Sequence, residues 1–339
     1  MSVILSVNNL NVSFSTPDGV VQAVNGVTFD LFAGQTLGIV GESGSGKSVT
    51  AASLMKLNNS ISASTTGSVF LDGVDVLSAE DEVVRGIRGR DIAMVFQDPL
   101  SALNPYYTVG AQIAEAYLVH HPDASKAEVR ETTLQMLRKV GIPNPEKRID
   151  EYPHQFSGGM RQRIVIAIAL INKPKILIAD EPTTALDVTV QAQILDLMME
   201  IQAETQMAII LITHDLGVIA EVANDVMVMY AGRVVEKTSV ENLFSLPTHP
   251  YSWGLLGAVA SLEMQERGSL RTISGTPPSL ISVPSGCAFH PRCDFYMGEE
   301  SVCNTSVPSL RPIADGQSWS SCHLPDEQIV SLGQTKVLS

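Results

Sequence analysis

The sequence predicts an α/β fold around a buried parallel sheet, joined by a β-rich part, a small helical part and a cysteine-bearing tail. Three observations predict it. Short, continuous apolar runs such as Ile92–Phe96, Ile176–Ala179 and Met207–Ile212 alternate with helical patterns, as strands buried on both faces do. Each run ends in polar side chains: Gln97, Asp180-Glu181 and His214. Open parallel sheets bind ligands at such strand ends. The third observation is Thr36–Ser48, where an apolar strand turns through Gly41, Gly44 and Gly46 into a helix running from Val49 to about Leu57.

Composition sets the outer bounds. At 339 residues and 45% hydrophobic, the chain is long enough for about two domains with a substantial core. Its 22 basic and 36 acidic side chains leave a net charge of −14, which opposes binding to nucleic acid. The first residues carry no basic stretch before an apolar one, and no apolar run reaches the ~18 residues of a membrane span. A cytoplasmic chain is expected, reaching any membrane through partners.

In order along the chain, residues 3–35 read as β-rich, with strand patterns at Val3–Val7, Asn11–Phe14 and Val27–Leu31 and a turn at Pro17-Asp18-Gly19. Phe14 is either a core residue or an aromatic face on which an adenine could stack. Asn58–Thr66 reads as a Ser/Thr/Asn-rich loop, followed by a strand pair turning at Asp72-Gly73. Pro99 is expected to stop regular structure. Residues 104–156 read as helical, with one helix over Val109–His121 and another opened by the capping box Ser125-Lys126-Ala127-Glu128 and closed before Gly141. Ser157-Gly158-Gly159 precedes an apolar helix, Ile164–Ile171, and offers bare amides and a hydroxyl to an anion. Further on, Val188–Gln202 reads as a helix, and Val226–Tyr230 with Arg233–Glu236 as a hairpin through Ala231-Gly232.

The chemistry follows from these residue types. Gly41–Ser48 fits G-x-x-x-x-G-K-S, in which glycines let the backbone curl round a phosphate and amides at the helix start point into it. Gly41, Ser43, Gly44, Ser45, Gly46, Lys47, Ser48 and Val49 form this cradle; Lys47 reaches the β- and γ-phosphates and Ser48 ligates Mg²⁺. A carboxylate at the tip of a buried strand is costly unless it works on a cation or a proton. Asp180 therefore suits Mg²⁺, and Glu181 suits the attacking water. Gln97 can bridge the two.

Together these residues resemble the ATP-binding subunit of ATP-binding-cassette (ABC) transporters, in family order over residues 3–237. The resemblance makes Phe14 the adenine platform, Gln97 the glutamine loop, Ser157-Gly158-Gly159-Met160 the signature, Ala185-Leu186-Asp187 the loop after the second nucleotide motif, and His214 the switch. Phe156 and Met160 depart from the usual Leu-Ser-Gly-Gly-Gln. It implies two cassettes paired head to tail, with Ser157, Gly158, Gly159 and Asp187 acting in trans and Glu181, His214, Lys47 and Gln97 catalytic. Mg²⁺ is expected on Ser48, Gln97 and Asp180. The stretches Phe96–Pro105 and Ala179–Thr189, with His249-Pro250-Tyr251 and Gly275-Thr276-Pro277-Pro278, resemble the dipeptide, oligopeptide and nickel importers. That implies a peripheral ATPase on the cytoplasmic face of the inner membrane. Its partners would be two transmembrane permease subunits, a second cassette (a related chain or a copy of itself) and a periplasmic or extracellular solute-binding protein. A soluble ABC ATPase acting on a cytosolic macromolecule is the alternative; the acidic charge and the single cassette weigh against it. An ATP-binding domain over 1–245, with a helical subdomain at about 98–160, and an extension over 246–339 are expected.

The four cysteines fall within that extension, as Cys287-x5-Cys293-x9-Cys303-x18-Cys322. A reducing compartment argues against disulfides, and four thiolates suit Zn²⁺ or an iron–sulfur cluster. The resemblance implies a 4Fe–4S cluster, with Zn²⁺ as the alternative and His290 and His323 as neighbours.

Overall fold

The computed structural model describes residues 2–58, 61–184, 186–263, 273–296, 298, 300–313 and 316–338. The chain divides into two units, one made of Met1–Ile4, Leu31–Gln35 and Ser78–Leu211, the other of Leu5–Asp30, Thr36–Leu77 and Ile212–Ser339.

The second unit holds the β-rich part. Two strands of 14 residues, Val3–Thr16 and Gly19–Phe32, replace the three short ones expected, because alternation carries through the polar positions between them. Their sheet runs Gly19–Phe32, Val3–Thr16, Ala63–Leu71, Val74–Asp75. Ala63–Leu71 takes up the end of the expected loop, and Asn59 and Ser60 lie outside the described residues. Asp72 and Gly73 turn the last pair with φ of 48° and 83°, the left-handed pair a tight hairpin needs. Ala231 and Gly232 do the same at 46° and 78° between Asp225–Tyr230 and Arg233–Ser239.

That hairpin belongs to a second sheet. Within the same unit its order is Arg311–Pro312, Trp319–Ser320, Arg233–Ser239, Asp225–Tyr230, Thr36–Val40. The last two strands are parallel, with Leu37 opposite Asp225 and Val40 opposite Val228. Thr36–Val40 is buried along its whole length, which explains its unbroken apolar pattern. The tail thus supplies two strands to the sheet that carries the phosphate loop.

The first unit holds Ala208–Ile212, Ile176–Asp180 and Ile92–Val95 side by side; the last two are parallel, with Ile92 opposite Ile176. Helices Val109–Leu118, Lys126–Lys139 and Gly158–Leu170 pack together beside them. Ser125 supplies the N-cap half of the expected capping box, accepting the Glu128 amide at 3.2 Å, while Glu128 Oε1 accepts the Tyr117 hydroxyl at 3.1 Å. Pro99 does not end regular structure but opens a short helix, Pro99–Ala102, since a missing N–H costs nothing at the first helical position. The helix expected at Val109–His121 stops at Leu118. Those expected at Val49–Leu57 and Val188–Gln202 run instead over Lys47–Leu54 and Val188–Thr205.

Candidate active site

The phosphate loop leaves the strand end at Gly41, whose φ is +152°. A Cβ there would stand 2.2 Å from the Met229 carbonyl oxygen. Gly46, at φ +100°, would set its Cβ 2.3 Å from the Ala23 carbonyl. Both positions demand glycine, because backbone cannot yield to a methyl group. Lys47 is 6% exposed, and its Nζ donates to the carbonyls of Gly41 at 2.7 Å and Glu42 at 3.0 Å. Ser45 is buried, Val49 is half-buried, and Ser43, Gly44 and Ser48 are exposed along the open side of the loop. Phe14 is half-buried on its strand, opposite Ala63. His214 is exposed between the end of Ala208–Ile212 and Asp215, which caps Leu216–Val222 by accepting the Gly217 amide at 2.8 Å.

Glu181 and its neighbours belong to the other unit. Asp180 closes a wholly buried strand and is itself 8% exposed. Glu181 follows at φ +48°, a left-handed conformation that costs a non-glycine residue about 1–2 kcal/mol. Its Oε2 accepts the Gln97 Nε2 amide at 2.9 Å and the Thr184 hydroxyl at 3.0 Å. Gln97 was expected near this carboxylate; Thr184 as its second partner was not. Ser157 caps Gly158–Leu170 by accepting the Met160 amide at 3.4 Å, and Ser157 and Gly158 are exposed. A Cβ on Gly159 would meet Val190 Cγ1 at 2.6 Å, so the signature backbone lies against the helix that Asp187 caps through the Val190 amide at 2.9 Å. Ala185 lies outside the described residues.

The sequence reading assigned no role to Glu42, Tyr251 or Arg292. The Glu42 N–H donates to the Tyr251 hydroxyl at 2.8 Å. Its carboxylate accepts two bonds from Arg292, at 2.6 and 3.0 Å. This partner raises the Arg292 guanidinium further above its ordinary range, and burial, reinforced by the Glu42 charge, raises the Tyr251 phenol. His249-Pro250-Tyr251 was the only local signal, and it does not show what the tyrosine touches.

The four thiols are free and half-buried, and all line one pocket, together with His249 and Phe289. Burial raises the Cys287 thiol, pushes Cys293 up to about 12 and Cys322 up to about 11. His290 Nδ1 bonds to the Cys287 carbonyl and His323 Nε2 to the Ser306 carbonyl, each at 2.8 Å. Among the described residues, no group of three or more His, Cys, Asp or Glu side chains is arranged to hold a metal ion.

The phosphate loop, with two positions that admit only glycine and a buried lysine, has the form of that in a nucleotide-binding protein. Comparison with known proteins is specific. Residues 24–184 match the ABC transporter family, and residues 235–299 match the oligopeptide/dipeptide transporter C-terminal region. The chain is 53% identical over 329 residues to the dipeptide transport ATP-binding protein DppD of Bacillus subtilis, covering 97% of this chain and 96% of that one. It is 49% identical to the oligopeptide transport ATP-binding protein OppD of Salmonella typhimurium, with the same coverage. A dimeric ATP-binding cassette solved in a post-hydrolysis state with ADP and Pi superposes with a TM-score of 0.62 at 26% identity, covering 70% of this chain and 98% of that one. The chain belongs to the ABC transporter family, as an ATP-binding, ATP-hydrolysing subunit with an oligopeptide/dipeptide-type C-terminal region.

Proposed function

We propose that this ATPase drives import of peptides, or a similar small solute, through two transmembrane permease subunits served by a periplasmic or extracellular solute-binding protein. The observation that carries the reading is the match of residues 235–299 to the oligopeptide/dipeptide transporter C-terminal region, which goes beyond the match to the ABC transporter family over residues 24–184. The subunit works peripherally at the cytoplasmic face of the inner membrane, paired with a second cassette. Among the described residues, no helix is long and apolar enough to cross a membrane. The cassette spans 1–245, with its helical subdomain at about 98–160, and the extension spans 246–339.

The residues divide the work. Phe14 stacks on adenine, Gly41, Ser43, Gly44, Ser45, Gly46, Lys47, Ser48 and Val49 cradle the phosphates, and Lys47 holds the β- and γ-groups. Ser157, Gly158, Gly159 and Asp187 of one cassette close over ATP held by the other. Glu181 orients water for in-line attack and takes its proton. The new oxygen–phosphorus bond forms as the bond to the leaving ADP oxygen breaks. His214 stabilises the γ-phosphate. Ser48, Gln97 and Asp180 offer only oxygen ligands, the donor set Mg²⁺ takes, and the ion when bound would neutralise phosphate charge. At the tail, Cys287, Cys293, Cys303 and Cys322 hold a 4Fe–4S cluster, with Zn²⁺ the alternative. Four soft thiols lining one pocket support a thiolate-bound group there. Anaerobic purification with iron and acid-labile sulfide assays decides between them; zinc alone, or neither metal, excludes the cluster.

The transport reading is tested by capturing tagged Glu181→Gln protein from detergent-solubilised cells with ATP and Mg²⁺, followed by mass spectrometry. Two multi-span membrane proteins and a cassette are expected. Ribosomes or DNA-bound proteins without a membrane partner would overturn it.

A further inference from the structure

We infer that Arg292 and Tyr251, both from the C-terminal extension, are positioning residues that hold the phosphate loop in its nucleotide-binding shape through Glu42. Glu42 directly follows the loop's first glycine and is fixed at three points. Its N–H donates to Tyr251, its carbonyl accepts Lys47, and its carboxylate is gripped by both terminal nitrogens of Arg292. The last grip is an inflexible one. The Arg292 side chain is 5% exposed. Its Nε donates to the Ser274 carbonyl at 2.9 Å, and its guanidinium lies 5.8 Å from the Tyr230 ring centroid. Tyr251 is fully buried, tilted against Tyr230 and Phe289 with ring centroids 4.7 and 5.4 Å away.

The three tethers differ in what ATP does to them. Lys47 now neutralises the Gly41 and Glu42 carbonyls; when its ammonium turns to the β- and γ-phosphates, those carbonyls lose it. The Arg292 and Tyr251 contacts do not involve the lysine and persist. They keep the loop curled while its lysine is engaged, so the amides need no reordering on binding. A bidentate ion pair with a buried arginine suits this because it fixes direction as well as distance.

This inference rests on Gly41–Ser48 being the ATP site, so ATP binding and steady-state ATPase activity of the intact wild-type protein come first. If the wild type does not bind ATP, that reading fails, whatever the variants do. Arg292→Gln is expected to raise KM for ATP by ~10-fold or more, the usual worth of a charged hydrogen-bonded pair, with a smaller change in kcat. Arg292→Lys recovers only part of the loss, since an ammonium cannot bond bidentately. Glu42→Gln combined with Arg292→Gln costs no more than either alone. The charge-reversed pair Glu42→Arg with Arg292→Glu, measured where single variants are poorly folded, recovers binding relative to each reversal alone. An unchanged KM in folded Arg292→Gln, or fully additive effects in the double variant, would overturn the inference.

Discussion

Glu181 carries two marks of a working residue: a left-handed backbone and a carboxylate oxygen shared by Gln97 and Thr184. Replacing it with Gln keeps the shape and removes the carboxylate proposed as the base. ATP binding should persist while turnover falls ~100-fold or more, as measured by single-turnover hydrolysis. The loop glycines allow a sharper contrast. Gly46→Ala drives a methyl group into the Ala23 carbonyl, whereas Gly44 has nothing within 4 Å of the position a Cβ would take. Gly44→Ala should cost only the left-handed penalty of about 1–2 kcal/mol, while Gly46→Ala should lose nucleotide binding altogether, read by a fluorescent ATP analogue. The motif already named both glycines; that one is needed for conformation alone and the other also for space is a fact of the packed loop. The buried Lys47 and the Gln97–Glu181 contact were legible because the loop motif and the strand-end positions are written in the neighbouring sequence. Thr184, Arg292 and Tyr251 were not, since nothing local separates a binding threonine, arginine or tyrosine from an ordinary one.

At the scale of elements, the most consequential junction is the start of the helix Pro250–Glu263. Glu236, buried on Arg233–Ser239, accepts the Thr248 amide at 2.7 Å and the His249 amide at 2.9 Å. Burial pushes this carboxyl up to about 7, so its contribution to stability is full below its unfolded value of 4.5 and is lost as pH rises through 7. Burial holds the His249 imidazole down at about 3, so its contribution is full above 6.5 and is lost as pH falls toward 3. The two trends oppose each other, and a variant isolates one of them. His249→Gln should lower the melting temperature most at about pH 7.5 and least at about pH 4.5, because only the wild type must keep an imidazole neutral in acid. A penalty independent of pH would show that the imidazole does not stay neutral and buried. The strand pattern announced Arg233–Glu236, but it could not reveal that Glu236 faces inward to cap a helix start, because alternation tells which positions share a face and not what covers them.

At the scale of the whole chain, the extension is part of the unit that holds the phosphate loop. Trp319–Ser320 pairs antiparallel with Arg233–Ser239, setting Ser320 opposite Glu236 and Trp319 opposite Lys237. Ser320 Oγ also donates to the Thr248 carbonyl at 2.8 Å. Truncation after Leu310 would strip this cover and leave the strand edge open beside a buried carboxylate. The truncated protein should aggregate on size-exclusion chromatography at concentrations where the full chain stays in solution. A well-behaved truncation would show that the tail is an appendage.

The sequence by itself determined the nucleotide chemistry, the buried parallel strands and the two left-handed hairpin turns. Each depends on residues within a few positions of one another, where φ preference, capping and apolar period act directly. Only the tertiary structure decided that the tail completes a sheet, that four cysteines spread over 36 positions line one pocket, and that Arg292 grips Glu42 from 250 residues away. Such contacts are fixed by the route the chain takes between them, and a local pattern of residues carries no record of that route.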